Sequence, residues 1–144
     1  RGGTPSVFDY MAHAEAGSML NTPPTYAWYM AGLVFDWLHD QGGLEAVAEV
    51  NRRKAGKLYA TVDQSNFYQC PVVVKDRSWM NVAFTLSDDS FDAEFLRQAE
   101  VQGLLNLKGH RSVGGMRASL YNALPEKGVD ALIDFMVSFE ADQK

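Results

Sequence analysis

The chain has 144 residues with 47% apolar and 22% charged side chains, a composition typical of one globular domain and unlike a disordered chain or a disulfide scaffold. Its 18 acidic and 13 basic side chains give a net charge of −5, which disfavours non-specific binding to nucleic acid or anionic lipid. The single cysteine, Cys70, cannot form an internal disulfide, and no apolar run approaches the roughly 20 residues that span a bilayer. We therefore expect a soluble, cytoplasmic protein without a membrane or nucleic-acid partner.

The N-terminal part is predicted to be a linker and a loop that lead into a helix. Residues 1–5 lack an initiator methionine and read as linker, which suggests a piece of a longer protein. In the loop, Thr22 is expected to cap the helix and Pro23 to occupy its first position. Apolar side chains then recur at helical spacing, which predicts one amphipathic helix over 26–39.

A second helix is predicted from Leu44 to about Asp63, because apolar side chains again recur at helical spacing. Its buried face is expected to hold Leu44, Val47, Ala48, Ala55, Leu58, Tyr59 and Val62. A basic run falls largely off that face and is expected to be solvated: Arg52, Arg53, Lys54 and Lys57.

Alternation of apolar and polar side chains predicts the strands. Residues 80–86 alternate most clearly, with Val82, Phe84 and Leu86 on one face. Residues 67–74 predict another strand, which Pro71 should confine to an edge or interrupt. Residues 104–108 predict a third, short strand.

Two further helices complete the prediction. Asp88 or Asp89 caps a helix that runs through Glu100, and Pro125 suits the first turn of the last helix. The buried stripe of that last helix is expected to be Val129, Leu132, Ile133, Met136 and Val137. Since strands and helices mix without strict alternation, we expect an α+β fold, a small, mainly antiparallel sheet with helices packed on it.

Residues 108–117 place cationic side chains around a pair of glycines. The guanidinium groups of Arg111 and Arg117 present planar donors that match a carboxylate or phosphate, and the imidazole of His110 adds a third donor. Alternation over 115–121 points Arg117 away from the apolar side chains. The segment is either an anion site or, on the plainer interpretation, a strand-edge turn with solvated arginines.

The loop over 18–25 is a second candidate anion site, because the N-terminus of a helix attracts anions. Pro23 and Pro24 remove two backbone donors, so Asn21 and Thr22 would have to supply the hydrogen bonds. A simple helix cap is the plainer interpretation. We expect no metal site, since the three histidines are far apart and no second cysteine exists.

Together, residues 18–26 and 108–119 resemble the C-terminal part of the phosphoserine aminotransferase family. The resemblance continues over the rest of the chain at Pro5–Tyr10, Trp28–Trp37, Met80–Val82 and Tyr121–Ala123. It implies a homodimeric, fold-type I enzyme that uses pyridoxal 5'-phosphate. It also implies exchange of an amino group between glutamate and 3-phosphohydroxypyruvate, which yields phosphoserine on the route to serine.

The resemblance also implies roles for five residues. Asn21 and Thr22 would reach the cofactor phosphate of the neighbouring subunit. His110 and Arg111 would lie in the pocket for the substrate phosphate, and Arg117 would hold the substrate α-carboxylate.

The family's cofactor-binding lysine belongs to a large domain that these residues do not include. The resemblance therefore implies that residues 1–24 are a linker and cofactor-phosphate loop from that domain. Residues 25–144 would be the small C-terminal domain, without a catalytic residue and inactive alone. The lysines are expected in surface contexts, and Lys108, the one nearest the cationic segment, lacks the predicted burial that a Schiff-base amine needs.

A second hypothesis remains open: an independent module that binds a phosphorylated amino acid for sensing or scaffolding. The cofactor motif and the substrate motif occur together in this chain, and a binding module has no need of Asn21 and Thr22. That combination favours a part of a transaminase.

Overall fold

The computed structural model describes residue 3 and residues 5–143 and divides the chain into two compact units. The first unit ends at Gly43 and the second begins at Leu44. The boundary predicted after residue 24 falls inside the first unit. Within the described residues, no helix combines the length and apolar character needed to cross a membrane.

The first unit contains helices α1 (Tyr10–Glu15) and α2 (Thr25–Asp40). The sequence did not predict α1, whose first turn is capped by the carboxylate of Asp9. The α2 bounds confirm the helix predicted over 26–39. No residue of α2 is buried, and its large apolar side chains are exposed around the helix rather than on one face.

Thr22 does not cap α2, and Pro23 is not its first residue. The helix begins at Thr25, with Pro24 in the capping position and no side-chain cap. The reason is local, because a residue that precedes a proline is held out of the helical region, and Pro23 precedes Pro24. The side chain of Thr22 is therefore not used by the helix.

The second unit is an antiparallel sheet of three strands with helices packed on it, which confirms the predicted fold class. Its elements are α3 (Gly43–Gln64), β1 (Tyr68–Gln69), β2 (Asn81–Leu86), α4 (Asp92–Val101), β3 (Met116–Ser119) and α5 (Glu126–Asp142). The strand order is β1-β2-β3, so β2 is central. Asp88 accepts a hydrogen bond from the backbone of Ser90 and caps a short 3₁₀ turn before α4. The helix α4 itself begins after Phe91 without a side-chain cap, so the prediction that Asp88 or Asp89 caps it is wrong.

An aromatic cluster forms the centre of this unit's core. The ring of Phe95 on α4 is fully buried and contacts four other rings at centroid distances of 4.9–6.1 Å: Tyr68, Phe84, Phe135 and Phe139. These rings come from the sheet and from α5, so the cluster joins the two layers. Phe135 and Phe139 were missing from the predicted stripe of α5, whereas Val137, which was included, is 57% exposed.

Two predicted strands are shorter than expected. The strand predicted over 67–74 is reduced to β1, because Pro71 lacks the N–H that would continue the ladder. The strand predicted over 104–108 is reduced to one bridge between Lys108 and Met116. The left-handed backbone of Asn106, with φ of 62°, interrupts the extended conformation there.

Candidate functional site

Strand β3 presents Arg117 on the face of the sheet opposite the core. Its neighbours Met116 and Ala118 are buried, with 1% and 2% of their surface exposed, whereas Arg117 is exposed. In the ladder Arg117 lies opposite Ala83 of β2, whose small side chain faces the same way. The prediction that Arg117 points away from the apolar side chains is confirmed.

His110 and Arg111 lie in a closed loop that leads into β3. The loop is closed where the backbone N–H of Gly109 donates to the carbonyl oxygen of Gly115 over 2.8 Å. At its tip the N–H groups of Val113 and Gly114 both donate to the carbonyl oxygen of His110, each over 2.8 Å. The structure therefore places His110, Arg111 and Arg117 on one continuous loop and strand.

The glycines of this loop allow close approach between backbone segments of the chain itself. A Cβ atom on Gly109 would collide with the carbonyl oxygen of Gly114. A Cβ atom on Gly115, whose φ is +59°, would lie 2.8 Å from the carbonyl oxygen of Phe84. The glycines thus fix the path of the backbone that carries the cationic side chains.

Arg111 and Arg117 differ from the other arginines of the described residues. Neither guanidinium group forms a hydrogen bond or ion pair within the described part of the chain, and both residues are exposed. Each of the remaining described arginines pairs with a carboxylate: Arg52, Arg53, Arg77 and Arg97. The donors of Arg111 and Arg117 are therefore available to an external anion.

The imidazole of His110 has a partner in its own loop, which the sequence did not assign. Its Nδ1 atom lies 2.6 Å from the hydroxyl oxygen of Ser112. The signal that would have found this pair is a serine two residues after a histidine within a glycine-bounded turn.

Lys54 is buried, which corrects the prediction that it lies on a solvated face and that all lysines have surface contexts. Its side chain is 0% exposed, and its ammonium group donates to the carbonyl oxygens of Leu120, Tyr121 and Leu124 over 3.0–3.2 Å. Burial lowers the pKa of this ammonium group. These contacts hold the turn that follows β3.

The spacing of Lys54 explains its burial. It lies three residues after Asn51 and four before Leu58, and all three belong to the buried face of α3. The amide of Asn51 donates to the side-chain oxygen of Asn122 over 2.8 Å, at the same turn. The predicted buried face omitted both polar residues, although the spacing of Asn51 and Lys54 from Leu58 places them on it.

Asn21 and Thr22 lie in the first unit, in the exposed loop before α2. Within the described residues, neither side chain forms a hydrogen bond. The amide of Asn21 and the hydroxyl of Thr22 are donors, and phosphate oxygens are acceptors, so the chemistry of this pair fits a phosphate group.

The chain matches the family model described as aminotransferase class-V over residues 2–132. It is 60% identical to the phosphoserine aminotransferase of Hahella chejuensis over 135 residues, which are 94% of this chain and 37% of that protein. The chain therefore spans about two fifths of the length of the curated relatives it matches.

Comparison with solved structures also finds similarity to phosphoserine aminotransferases. Phosphoserine aminotransferase from Bacillus circulans subsp. alkalophilus matches with a TM-score of 0.92 and 41% identity, over 100% of this chain and 40% of that chain. The PLP-bound phosphoserine aminotransferase of Trichomonas vaginalis matches with a TM-score of 0.84 and 39% identity, over 94% of this chain and 39% of that chain.

Proposed function

Because the chain belongs to the class-V aminotransferase family, we propose that it is the C-terminal part of a phosphoserine aminotransferase. The proposed reaction exchanges an amino group between L-glutamate and 3-phosphohydroxypyruvate, which gives 2-oxoglutarate and O-phospho-L-serine. We place this reaction in cytoplasmic serine biosynthesis. The observation that carries the proposal is the pair Arg111 and Arg117 on one loop and its adjoining strand, neither of which has a carboxylate partner among the described residues.

These cations match the charges of the proposed substrates. Every amino-acid and oxo-acid substrate carries an α-carboxylate, which the planar donors of Arg117 bind. The second anion differs between the two substrate pairs: it is a phosphate in the phosphorylated substrates and a γ-carboxylate in glutamate and 2-oxoglutarate. Arg111 and the imidazole of His110 bind the phosphate. Two anchoring points on one substrate fix the orientation of its reacting carbon, which lowers the barrier by proximity.

The cofactor of this proposal is pyridoxal 5'-phosphate. When bound, it supplies an aldehyde that accepts the amino group and a ring that withdraws electrons from the substrate α-carbon. In this chain the free donors of Asn21 and Thr22 would bind its phosphate, in a homodimer across the subunit boundary. Pro23 and Pro24 offer no N–H, so these side chains carry more of the binding than in a glycine-rich phosphate loop.

The lysine that binds the cofactor is proposed to lie outside these residues. The ammonium group of Lys54 is committed to three backbone carbonyls, and Lys108 is exposed and lacks the burial that a reactive amine needs. We propose that residues 1–24 are a linker and cofactor-phosphate loop and that residues 25–144 form the small domain. This domain binds and orients substrate and contributes no catalytic residue.

The exposed apolar surface of α2 supports the proposal that this chain is part of a larger protein. Tyr26, Trp28, Tyr29 and Phe35 expose 57–77% of their surface, and an exposed apolar surface of this kind is typical of one that another domain or subunit covers. The matched relatives are more than twice as long as the chain.

Complementation tests the proposal. Mixed with the complementary large domain and pyridoxal 5'-phosphate, the chain should restore transamination, whereas the chain alone should show no turnover. The control is the Arg117→Ala chain mixed with the same large domain. A well-folded pair without any activity would count against the proposal.

The independent binding module makes a different prediction. Titration calorimetry of the chain alone with phosphoserine should detect no binding if the site is completed by the large domain. Binding that is lost in Arg117→Ala would instead favour the independent module.

A further inference from the structure

The orientation of the His110 ring depends on a donor and acceptor pattern that the loop itself sets. The backbone N–H of Ser112 donates to Nδ1 of His110 over 3.3 Å. An amide N–H can only donate, so this long contact favours the ring state in which Nδ1 presents its lone pair. The proton of the neutral ring then resides on Nε2.

The hydroxyl group of Ser112 strengthens this arrangement. Its oxygen lies 2.6 Å from the same Nδ1 atom, the shortest hydrogen bond that His110 makes in the described chain. Because Nδ1 already accepts from the backbone, the hydroxyl group acts as a donor and its proton points to the ring. Both polar groups of Ser112 therefore select one tautomer of His110.

We propose that Ser112 is a positioning residue that holds His110 with its Nε2–H free to donate to an oxygen of a phosphate monoester. This inference rests on the proposed function and adds the residue that sets the hydrogen-bonding state of the phosphate site. In the other tautomer Nε2 would present a lone pair to the anion, and the contact would become repulsive. The tautomer thus decides whether His110 attracts or repels the substrate phosphate.

The loop keeps its path without the Ser112 hydroxyl group. Val113 and Gly114 both donate to the carbonyl oxygen of His110, and Gly109 donates to the carbonyl oxygen of Gly115. These bonds involve backbone atoms alone. A Ser112→Ala variant therefore removes the stronger donor to Nδ1 and leaves the loop closed.

The expected consequence is selective. In the full-length protein that contains this chain, Ser112→Ala should raise KM for phosphoserine by about fivefold, the effect of one neutral hydrogen bond, and raise KM for glutamate, whose second anion is a carboxylate, by less. Ser112→Thr keeps a hydroxyl group and should restore the parent value. Ser90→Ala is the control, because that serine is likewise exposed and lies in the turn before α4, away from the 109–115 loop.

Nitrogen-detected NMR of the histidine side chains tests the inference without turnover. In the full-length protein, His110 should carry its proton on Nε2, and Ser112→Ala should shift the ring towards a mixture of tautomers. Titration with inorganic phosphate should move the Nε2 resonance in the parent protein and require more phosphate in Ser112→Ala.

These NMR outcomes test the role of Ser112 independently of the proposed reaction. A proton on Nδ1 in the parent protein, or a tautomer unchanged in Ser112→Ala, would overturn it. A shifted tautomer with unchanged phosphate affinity would also overturn it, even if transamination is intact. If the protein does not transaminate phosphoserine but shows the predicted tautomer and phosphate response, the proposed reaction fails and the role of Ser112 stands.

Discussion

The ammonium nitrogen of Lys54 lies 3.0 Å from the carbonyl oxygen of Tyr121, four residues beyond Arg117 along the chain. With the two further carbonyls that it contacts, this lysine connects α3 to the turn at the end of β3. The strand that carries Arg117 is thereby held at its C-terminal end by a buried charge. At its other end it is held by the backbone bonds of the 109–115 loop.

Replacing Lys54 with methionine should destabilise the chain. The variant keeps the volume of the side chain but removes the ammonium donor from the carbonyl oxygens of Leu120, Tyr121 and Leu124, at a cost of about 3 kcal/mol. Urea unfolding measures the change. Lys127→Met is the control, because Lys127 is exposed on α5 and its loss should change stability by less than about 0.5 kcal/mol. Equal stability of the parent and Lys54→Met would contradict this account.

The carboxylate of Glu126 should make part of the stability dependent on pH. Arg53 and Lys57 of α3 hydrogen-bond to it and lower its pKa from an ordinary 4.5 to about 2. A depressed carboxyl pKa contributes stability that is complete above pH 4.5 and is lost as the pH falls towards 2.

Urea unfolding of the parent and Glu126→Gln at a series of pH values tests this prediction. The stability difference between the two should be largest above pH 4.5 and shrink as the pH falls towards 2. The control is Glu100→Gln, which removes an exposed carboxylate without an ion pair in the described chain. The stability of this variant should depend on pH as that of the parent does. A difference between parent and Glu126→Gln that is constant over this range would refute the assignment.

Gly115 should not tolerate a side chain. An alanine there would combine a left-handed backbone with a Cβ atom 2.8 Å from the carbonyl oxygen of Phe84, at a cost of about 1–3 kcal/mol. Gly56→Ala is the matched control, since a Cβ there meets open space within α3 and should stabilise by roughly 0.5–1 kcal/mol. Thermal unfolding measures the change in stability of each variant. A change of the same sign in Gly115→Ala and Gly56→Ala would contradict the geometry.

Arg111 should discriminate between substrates. In the full-length protein, Arg111→Ala should raise KM for phosphoserine roughly tenfold or more, because a charge-assisted contact to the phosphate is lost. KM for glutamate should rise less, because its second anion is a carboxylate with one charge rather than a phosphate. Arg97→Ala is the control, because Arg97 pairs with Glu94 on its own helix. Equal effects of Arg111→Ala on both substrates would remove it from phosphate recognition.

Regular patterns were predicted well from the sequence. The helices α3 and α5 and the strands β2 and β3 follow apolar periodicities of 3.6 and 2 residues, and the bounds of α2, α3 and β2 agree closely with the predictions. The outward direction of Arg117 follows from the same alternation. These predictions needed no knowledge of neighbouring elements.

The failures depend on interactions that periodicity does not describe. Lys54 was placed off the buried face of α3 with the other basic residues, but three carbonyls from a distant turn accept its hydrogen bonds in the core. Thr22 was assigned as a cap, but consecutive prolines delay the start of the helix. Leu44 was expected in the core and is 76% exposed, because the buried face of α3 begins only at Asn51.

The central claim is that the loop and strand carrying Arg111 and Arg117 bind the two anions of one substrate. Its most direct measurement is kcat/KM of the full-length Arg117→Ala protein for phosphoserine and for glutamate. Both substrates carry an α-carboxylate, so both values should fall by a similar factor, roughly tenfold or more. If kcat/KM of the Arg117→Ala protein equals that of the parent protein for both substrates, Arg117 binds neither substrate and the account is wrong.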